Sequence, residues 1–206
     1  MDNTPIIKGS IFVMSAASGT GKTSLTRELI RTNPQLRVAV SHTTRAPREN
    51  EVDHEHYHFV DQETFTTMVG EGQFLEHAKV HEHYYGTSIA AVTALTDAGF
   101  DVILEIDVQG AEQIRRSLPD AVCIFVLPPS WDVLRERLTN RGTNTAEDIE
   151  LRLKNARLEF EQAALFDYLV VNDRLEEATQ NINHIIKASR FRQSKDNHTL
   201  ISLLED

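Results

Sequence analysis

The sequence predicts an α/β fold, a mostly parallel sheet flanked by helices, and three observations predict it. Short apolar runs alternate along the chain with stretches of helical periodicity. A glycine-rich segment stands between the first such run and the first helical pattern. The length, 206 residues, suits one compact unit carrying insertions rather than two independent bodies.

Taken in order, SIFVMS at 10–15 reads as the first strand, and Leu25, Leu29 and Ile30 follow at helical spacing until Asn33 and Pro34 stop the helix. LRVAV at 36–40, DVILEID at 101–107, AVCIFVL at 121–127 and YLVV at 168–171 supply further strands of buried type. Residues 41–93 break the alternation with His, Glu and Tyr and with short runs such as HYHFV and QFLEHAKV, the pattern of a small β-containing insert. Two helices follow within 133–164. Ser130 caps the first and Gly142 stops it, while Thr145 and Asp148 resemble a capping box with Asp in place of Glu or Gln. Ile149, Leu153, Ala156, Phe160 and Ala163 give the second helix one apolar face, leaving Arg152 outside it, so the pair reads as a mobile lid. The partition is then core at 1–40, 94–132 and 165–190, insert at 41–93, lid at 133–164 and a C-terminal tail at 191–206. The tail ends in Leu200, Ile201, Leu203 and Leu204 and reads as a docking helix or a partner-facing segment.

The balance of 21 Lys+Arg against 31 Asp+Glu, net −10, excludes broad affinity for nucleic acid or an anionic bilayer, since both need a basic face. An anionic partner must be held by a local cluster. No stretch approaches the ~20 apolar residues that cross a bilayer. A single cysteine, Cys123, has no intrachain partner and suits a reducing, cytoplasmic location.

Ala16-Ala17-Ser18-Gly19-Thr20-Gly21-Lys22-Thr23 matches the phosphate-cradling pattern G-x-x-x-x-G-K-[ST] except at Ala16, with a strand before it and a helix after it. Gly19 and Gly21 let the backbone curl so that its N–H groups face phosphate oxygens at the positive end of the helix. Lys22 adds a point charge, and the Thr23 hydroxyl can complete a Mg2+ shell. The core is therefore of P-loop NTPase type. The loop alone leaves a GTPase, a transport ATPase and a small-molecule kinase open.

A second ligand is indicated further on. In Ser41-His42-Thr43-Thr44-Arg45-Ala46-Pro47-Arg48 two guanidinium forks, with Pro47 stiffening the turn, can grip one phosphate. Glu76 falls on the same predicted strand face as Phe74 and Ala78, where an apolar residue is expected; a carboxylate there demands a donor. Glu105 and Asp107 share a face at the carboxyl end of their predicted strand, where ligands of such sheets bind.

Through SAASGTGKTSL, SHTTRAPR, DHEHYHFV, QFLEHAKV, HYYGTS, LEIDVQG, LPPSWDVLRERLTNRGT and VVND in that order, the sequence resembles the guanylate kinases over nearly the whole chain, the tail beyond Ser189 excepted. The resemblance implies a P-loop kinase with a small mixed α/β GMP-binding insert and a helical lid, moving the γ-phosphoryl of ATP, with Mg2+, to GMP and dGMP in purine nucleotide metabolism. It implies that Arg45, Arg48, Tyr57 and Tyr85 hold the GMP phosphate, that Ser41, Glu76, Thr87 and Asp107 read guanine, and that Glu105 is the carboxylate expected beside them. It places Arg137, Arg141 and Arg152 of the lid over the phosphates and Asn172 on the adenine side. Two departures stand out: Ala17 replaces the family's usual proline, and His42 a small hydroxyl residue. Two rivals are a module that binds phosphorylated peptide, which the intact Lys22, Thr23 and lid oppose, and a sugar-phosphate kinase, in which the base-reading residues would have no purpose.

His54, His56 and His58 alternate along a predicted strand face, with His77, His81 and His83 further on. With one cysteine in the chain, a solvated surface is expected there rather than a zinc frame.

Overall fold

In the computed structural model, which describes residues 9–49, 51–80, 82–140 and 145–191, the first apolar run becomes β1 (Ile11–Ala16). It leads through the glycine-rich loop into α1 (Lys22–Thr32) and β2 (Leu36–Val38). The insert holds β3 (His42–Thr43), β4 (His58–Phe59), α2 (Gln62–Gly70), β5 (Phe74–Val80) and β6 (His83–Ser88). The chain then returns through α3 (Ile89–Asp97), β7 (Asp101–Glu105), α4 (Val108–Ser117) and β8 (Val122–Leu127). The lid helices α5 (Trp131–Thr139) and α6 (Ala146–Glu161), a 3-10 turn at Gln162–Leu165, β9 (Tyr168–Val171) and α7 (Leu175–Ser189) complete the described residues.

The core sheet runs β2-β7-β1-β8-β9 with every pairing parallel. Phe12 and Met14 of β1 pack with Leu25 and Leu29 of α1 and Ile182 and Ile186 of α7, whereas Val13 faces Val92 of α3 and Ala111 and Ile114 of α4. Burial on both faces is why these strands are continuous apolar runs, and Cys123 is one of the small residues that fill the second face. From β1 the chain turns toward β2, and from β8 toward β9, so a crevice opens at the carboxyl ends of these neighbouring strands. The fold class is as the sequence predicts, with two adjustments. The strand at 101–107 stops at Glu105, because Asp107 caps α4 by accepting from the Gly110 N–H at 2.9 Å; it does not share a strand face with Glu105. And β9, read as buried, is an edge strand with Tyr168, Leu169 and Val171 exposed, since its outer side meets no strand among the described residues.

The second sheet runs β4-β3-β6-β5, with β3 and β4 parallel and the other pairs antiparallel. Its register corrects the reading of Glu76. Phe74 pairs with Ser88 and Glu76 with Thr87, so Leu75 is an extra residue in a bulge and the side-chain alternation reverses across it. Phe74 therefore stacks on Phe65 of α2, 4.6 Å between ring centroids, while Glu76 shares the opposite face with Ala78. The histidines do not alternate along a strand either. Residues 54–56 form a turn in which His54 takes φ 65° and His56 Nδ1 accepts the Val52 N–H; only His58 is in β4. Among the described residues no three His, Cys, Asp or Glu side chains gather as a metal site, and His81 lies outside those residues.

The lid caps match their sequence signals: the Ser130 side chain accepts from Val133 N, and Thr145 and Asp148 form the reciprocal box. Gly142 and the tail from 192 lie outside the described residues. Leu134, Leu138, Leu153 and Ala156 bury a small core against Ala17, with Ile149 and Phe160 packed on it, so the lid rests on the first turn of the glycine-rich loop. At the other end of the sheet Asp101, 4% exposed, accepts the Ser10 N–H at 2.9 Å and both Arg190 Nε and an Arg190 terminal nitrogen at 2.9 and 2.6 Å, tying the end of α7 to β7. Asp101→Ala leaves the Ser10 N–H and the half-exposed Arg190 guanidinium without this acceptor and is expected to cost about 1–3 kcal/mol in urea unfolding, the range for unmatching a buried hydrogen-bonding group; a loss under about 0.5 kcal/mol, the level of an ordinary surface substitution, contradicts this anchor.

Candidate active site

The donor side is the loop between β1 and α1. Gly19 and Gly21 sit at φ 94° and 93°, where a side chain is strained, and a Cβ on Gly21 would lie 2.5 Å from Asn172 Nδ2. The N-terminus of α1 carries no side-chain cap, although α2 to α6 are each capped by an Asp, Ser or Thr. Its free N–H groups and its dipole are therefore left for an external anion. Lys22 Nζ donates to the Ile106 carbonyl at 3.3 Å, which holds the ammonium beside the carboxyl end of β7.

The loop is braced from three sides. Thr20 folds its hydroxyl onto the Ala17 carbonyl, and its own carbonyl accepts from Asn172 Nδ2 at 2.7 Å and from Arg137 at 3.3 Å. Arg137 also donates to the carbonyls of Asn172 and Asp173 at 3.0 and 3.5 Å. Arg152 donates to Ser18 Oγ at 2.9 Å. Asn172 is 5% exposed, so its amide reaches the loop rather than an open surface. Arg137 and Arg152, expected over the phosphates, reach the glycine-rich loop itself; Arg141 lies outside the described residues. Ala16 and Ala17 enclose the loop's start, and the exposed Thr23 hydroxyl has no hydrogen-bond partner among the described residues.

The acceptor side faces Lys22. A cavity of about 190 Å³ is lined by Lys22, Ser41, Tyr57, Glu76, Tyr85, Glu105 and Asp107 with Ala78, Val80 and Ile106. Seven predicted residues are brought to one hollow: Glu76 from β5, Tyr85 from β6, Glu105 from β7, Ser41 and Tyr57 from just before β3 and β4, and Lys22 and Asp107 from the N-terminal ends of α1 and α4. Glu76, 4% exposed, accepts from the Thr87 hydroxyl at 2.6 Å, and Ser41 Oγ lies 3.0 Å from the same hydroxyl. Thr87 has one proton, so with Glu76 ionised Ser41 must donate to Thr87. Burial pushes the Glu76 carboxyl up to about 7, Asp107 adding and Thr87 and Lys22 opposing. The carboxylate fits only because residue 110 is glycine: a Cβ there would stand 2.5 Å from Glu76 Oε2.

At the outer wall Arg45 donates to Glu51 at 2.8 Å, to Tyr85 Oη at 3.3 Å and to the Ala46 carbonyl at 2.7 Å, with its guanidinium carbon 5.5 Å from the Tyr57 ring centroid. Arg48 lies beside it with an exposed side chain. Three contributors were not legible in the sequence. Glu51 accepts from Arg45 and from the Arg48 N–H. Gln113 of α4 exchanges hydrogen bonds with the His77 backbone at 3.1 and 2.8 Å, clipping β5 to the core. Glu159 of α6, two turns after Arg152, is pushed up to about 7 by burial, with Lys22 opposing and Asp107 adding, so it too feels the cleft.

A glycine-rich loop leading into an uncapped helix and a buried carboxylate therefore share one cleft. A family model for guanylate kinase matches residues 8–189. The chain belongs to the guanylate kinase family. It is 54% identical to the guanylate kinase of Neisseria gonorrhoeae over 199 residues, covering 97% of each chain, and 50% identical to that of Psychrobacter arcticus over 202 residues, 96% of this chain and 97% of the other. A crystal structure of guanylate kinase from Anaplasma phagocytophilum superposes with TM-score 0.76 at 31% identity, covering 90% of this chain and 88% of that one. Such a guanylate kinase fold puts its cleft where the carboxyl ends of β1, β7 and β8 meet the insert.

Because the folded state raises the Glu76 pKa above its ordinary value of 4.5, it holds this proton more tightly than the unfolded chain does. The associated stability is full below 4.5 and is lost as pH rises through about 7. Glu76→Gln is therefore expected to gain about 1 kcal/mol on the wild type between pH ~6 and ~8, read from urea unfolding of the ligand-free proteins. Parallel pH profiles contradict the burial argument.

Proposed function

We propose that the chain transfers the γ-phosphoryl of MgATP to GMP, giving ADP and GDP, with the base reader and the donor cradle working in one cavity. Membership of the guanylate kinase family implies ATP:GMP phosphotransferase activity. The observation that carries the assignment of roles is the Ser41–Thr87–Glu76 chain beside Lys22. Guanine presents N1–H and its exocyclic amine as adjacent donors, which one carboxylate accepts in parallel. Adenine has an acceptor at N1 and would leave Glu76 unmatched. Asp107, with one carboxylate oxygen engaged as the α4 cap, and Glu105 stand nearby to take further base contacts. Arg45, Arg48, Tyr57 and Tyr85 hold the acceptor phosphate. The roles assigned here fall on the base and the phosphate, and dGMP is expected to be a substrate as well.

On the donor side the loop from Ala16 to Thr23 and the α1 N-terminus hold the ATP phosphates. Lys22 bears charge on the transferred group, and Arg137, Arg141 and Arg152 bring the lid onto it, excluding water. Asn172 serves the nucleotide site through Thr20. The exposed, unpartnered Thr23 hydroxyl is a hard oxygen donor at the mouth of the cradle and fits Mg2+ arriving with ATP. The ion, when bound, neutralises charge between the outer phosphates. Transfer is direct, from ATP to the GMP phosphate, and needs no covalent enzyme intermediate. The single buried Cys123 goes with a reducing cytoplasm; among the described residues no helix is long and apolar enough to cross a membrane.

The test is coupled measurement of ADP release with GMP, AMP and ribose 5-phosphate. GMP alone is expected to support turnover, and Lys22→Ala is expected to lower kcat by about 1,000-fold or more, as for loss of a group that stabilises transition-state charge. Turnover with the sugar phosphate, or full activity of Lys22→Ala, contradicts the assignment.

A further inference from the structure

We propose that Glu51 is the positioning residue of the acceptor clamp, one carboxylate that sets both Arg45 and Arg48 before the phosphate arrives. The inference rests on the reading of those two arginines as the GMP phosphate grip. Glu51 Oε1 accepts from the Arg45 guanidinium at 2.8 Å, and Glu51 Oε2 accepts the Arg48 backbone N–H at 2.8 Å. The Glu51 N–H donates back to the Arg48 carbonyl at 3.0 Å, so the chain from 48 to 51 closes on itself. The ion pair is sheltered: the side chains of Arg45 and Glu51 are 13% and 15% exposed. The rest of the Arg45 fork goes to Tyr85 Oη and the Ala46 carbonyl, with Tyr57 and Phe59 rings 5.5 and 5.9 Å from its central carbon. A long side chain with many rotamers is in this way held at one orientation, with two of its five N–H donors unused among the described residues.

Burial would raise the Glu51 carboxyl, but the Arg48 amide and the Arg45 guanidinium hold it below its ordinary value, so it is ionised at neutral pH. That is the telling feature, because a carboxylate beside a phosphate site weakens the attraction for the phosphate. Simple electrostatics says that removing the charge tightens GMP. Positioning says the opposite: Glu51 meets Arg45 with one oxygen and the Arg48 amide with the other, so Gln in the same place turns its N–H2 toward one of these two donors, and the fork is released. The two effects have opposite signs, which makes the role measurable.

Glu51→Gln, Glu51→Asp and Arg48→Ala are to be compared with the wild type by calorimetry with GMP, with guanosine and with inorganic phosphate, and by steady-state kinetics, after thermal unfolding has shown that each is folded. Glu51→Gln is expected to raise the Kd and KM for GMP by about 10- to 100-fold, the size of a lost charge-assisted hydrogen bond, with kcat at saturating GMP and ATP changed by less than about threefold. Phosphate binding weakens with it, guanosine binding is unchanged, and Glu51→Asp, which keeps two acceptors on a shorter stem, recovers part of the loss. Tighter or unchanged GMP binding in folded Glu51→Gln overturns the proposal, as does an equal loss of guanosine, which would make Glu51 a support of the whole insert. Should Glu51→Gln fail to fold, the same outcomes are read from Glu51→Asp, in which unchanged GMP and phosphate binding overturns the proposal. If Arg48→Ala binds GMP like the wild type, the clamp reading itself fails; if Arg48→Ala weakens GMP and the Glu51 variants do not, only the role of Glu51 falls.

Discussion

One buried carboxylate governs the architecture of the cleft. Glu76 has left water, the Thr87 hydroxyl, backed by Ser41, is the side-chain donor that meets it among the described residues, and its neighbours are arranged to tolerate that position. The bulge at Leu75 turns it to the cavity face, Gly110 withdraws a side chain that would collide with it, and Gln113 holds β5 against α4 so that the pocket keeps its depth. A buried acceptor that is only partly satisfied is costly for the empty protein. The cost becomes selectivity when a ligand brings two adjacent donors, because a base lacking them leaves the cost in place.

The donor side uses the reverse arrangement, unpaired donors in place of an unpaired acceptor. Where the other helices from α2 to α6 close their first turn with a side chain, α1 leaves its N–H groups open, and the loop before it is kept in shape by Asn172, Arg137 and Arg152 together with its own Thr20–Ala17 bonds. The lid is thereby wired to the phosphate loop: Leu134 and Leu138 lie over Gly19, and the two arginines reach it from two different helices. These two helices and the loop are therefore held together by both packing and hydrogen bonds.

The core strands and helices were legible because burial on both faces of a parallel sheet writes continuous apolar runs, as in β1 and β8, and because caps such as Ser130 and Thr145 carry local signals. β9 wrote the same apolar pattern although it is an edge, since four residues of Tyr and aliphatic character do not record how many neighbours they have. The candidate site was legible as residue types and order. Its geometry was not. A one-residue bulge reverses side-chain alternation with no compositional mark, so Phe74 was placed on the wrong face while Glu76 was singled out correctly as a carboxylate out of pattern. Glu51 and Gln113 act through contacts with Arg45 and with the His77 backbone that only the folded chain brings together, and an exposed-type Glu or Gln gives no sign of them. His54, His56 and His58 show the converse error, a striking spacing that a turn at φ 65° dissolves.

The central claim, that a buried carboxyl of raised pKa reads guanine, is tested most directly by calorimetric titration of the ligand-free protein with GMP and with AMP at pH ~6.5 in buffers of different ionisation enthalpy. The two ligands share a phosphate and differ in the base, so the difference between them isolates the reader. GMP is predicted to bind about 100-fold or more tightly than AMP and to release about three-quarters of a proton more, the share of Glu76 still protonated at that pH. Equal affinity for the two nucleotides, or tight GMP binding with the same proton count as AMP, would contradict the account.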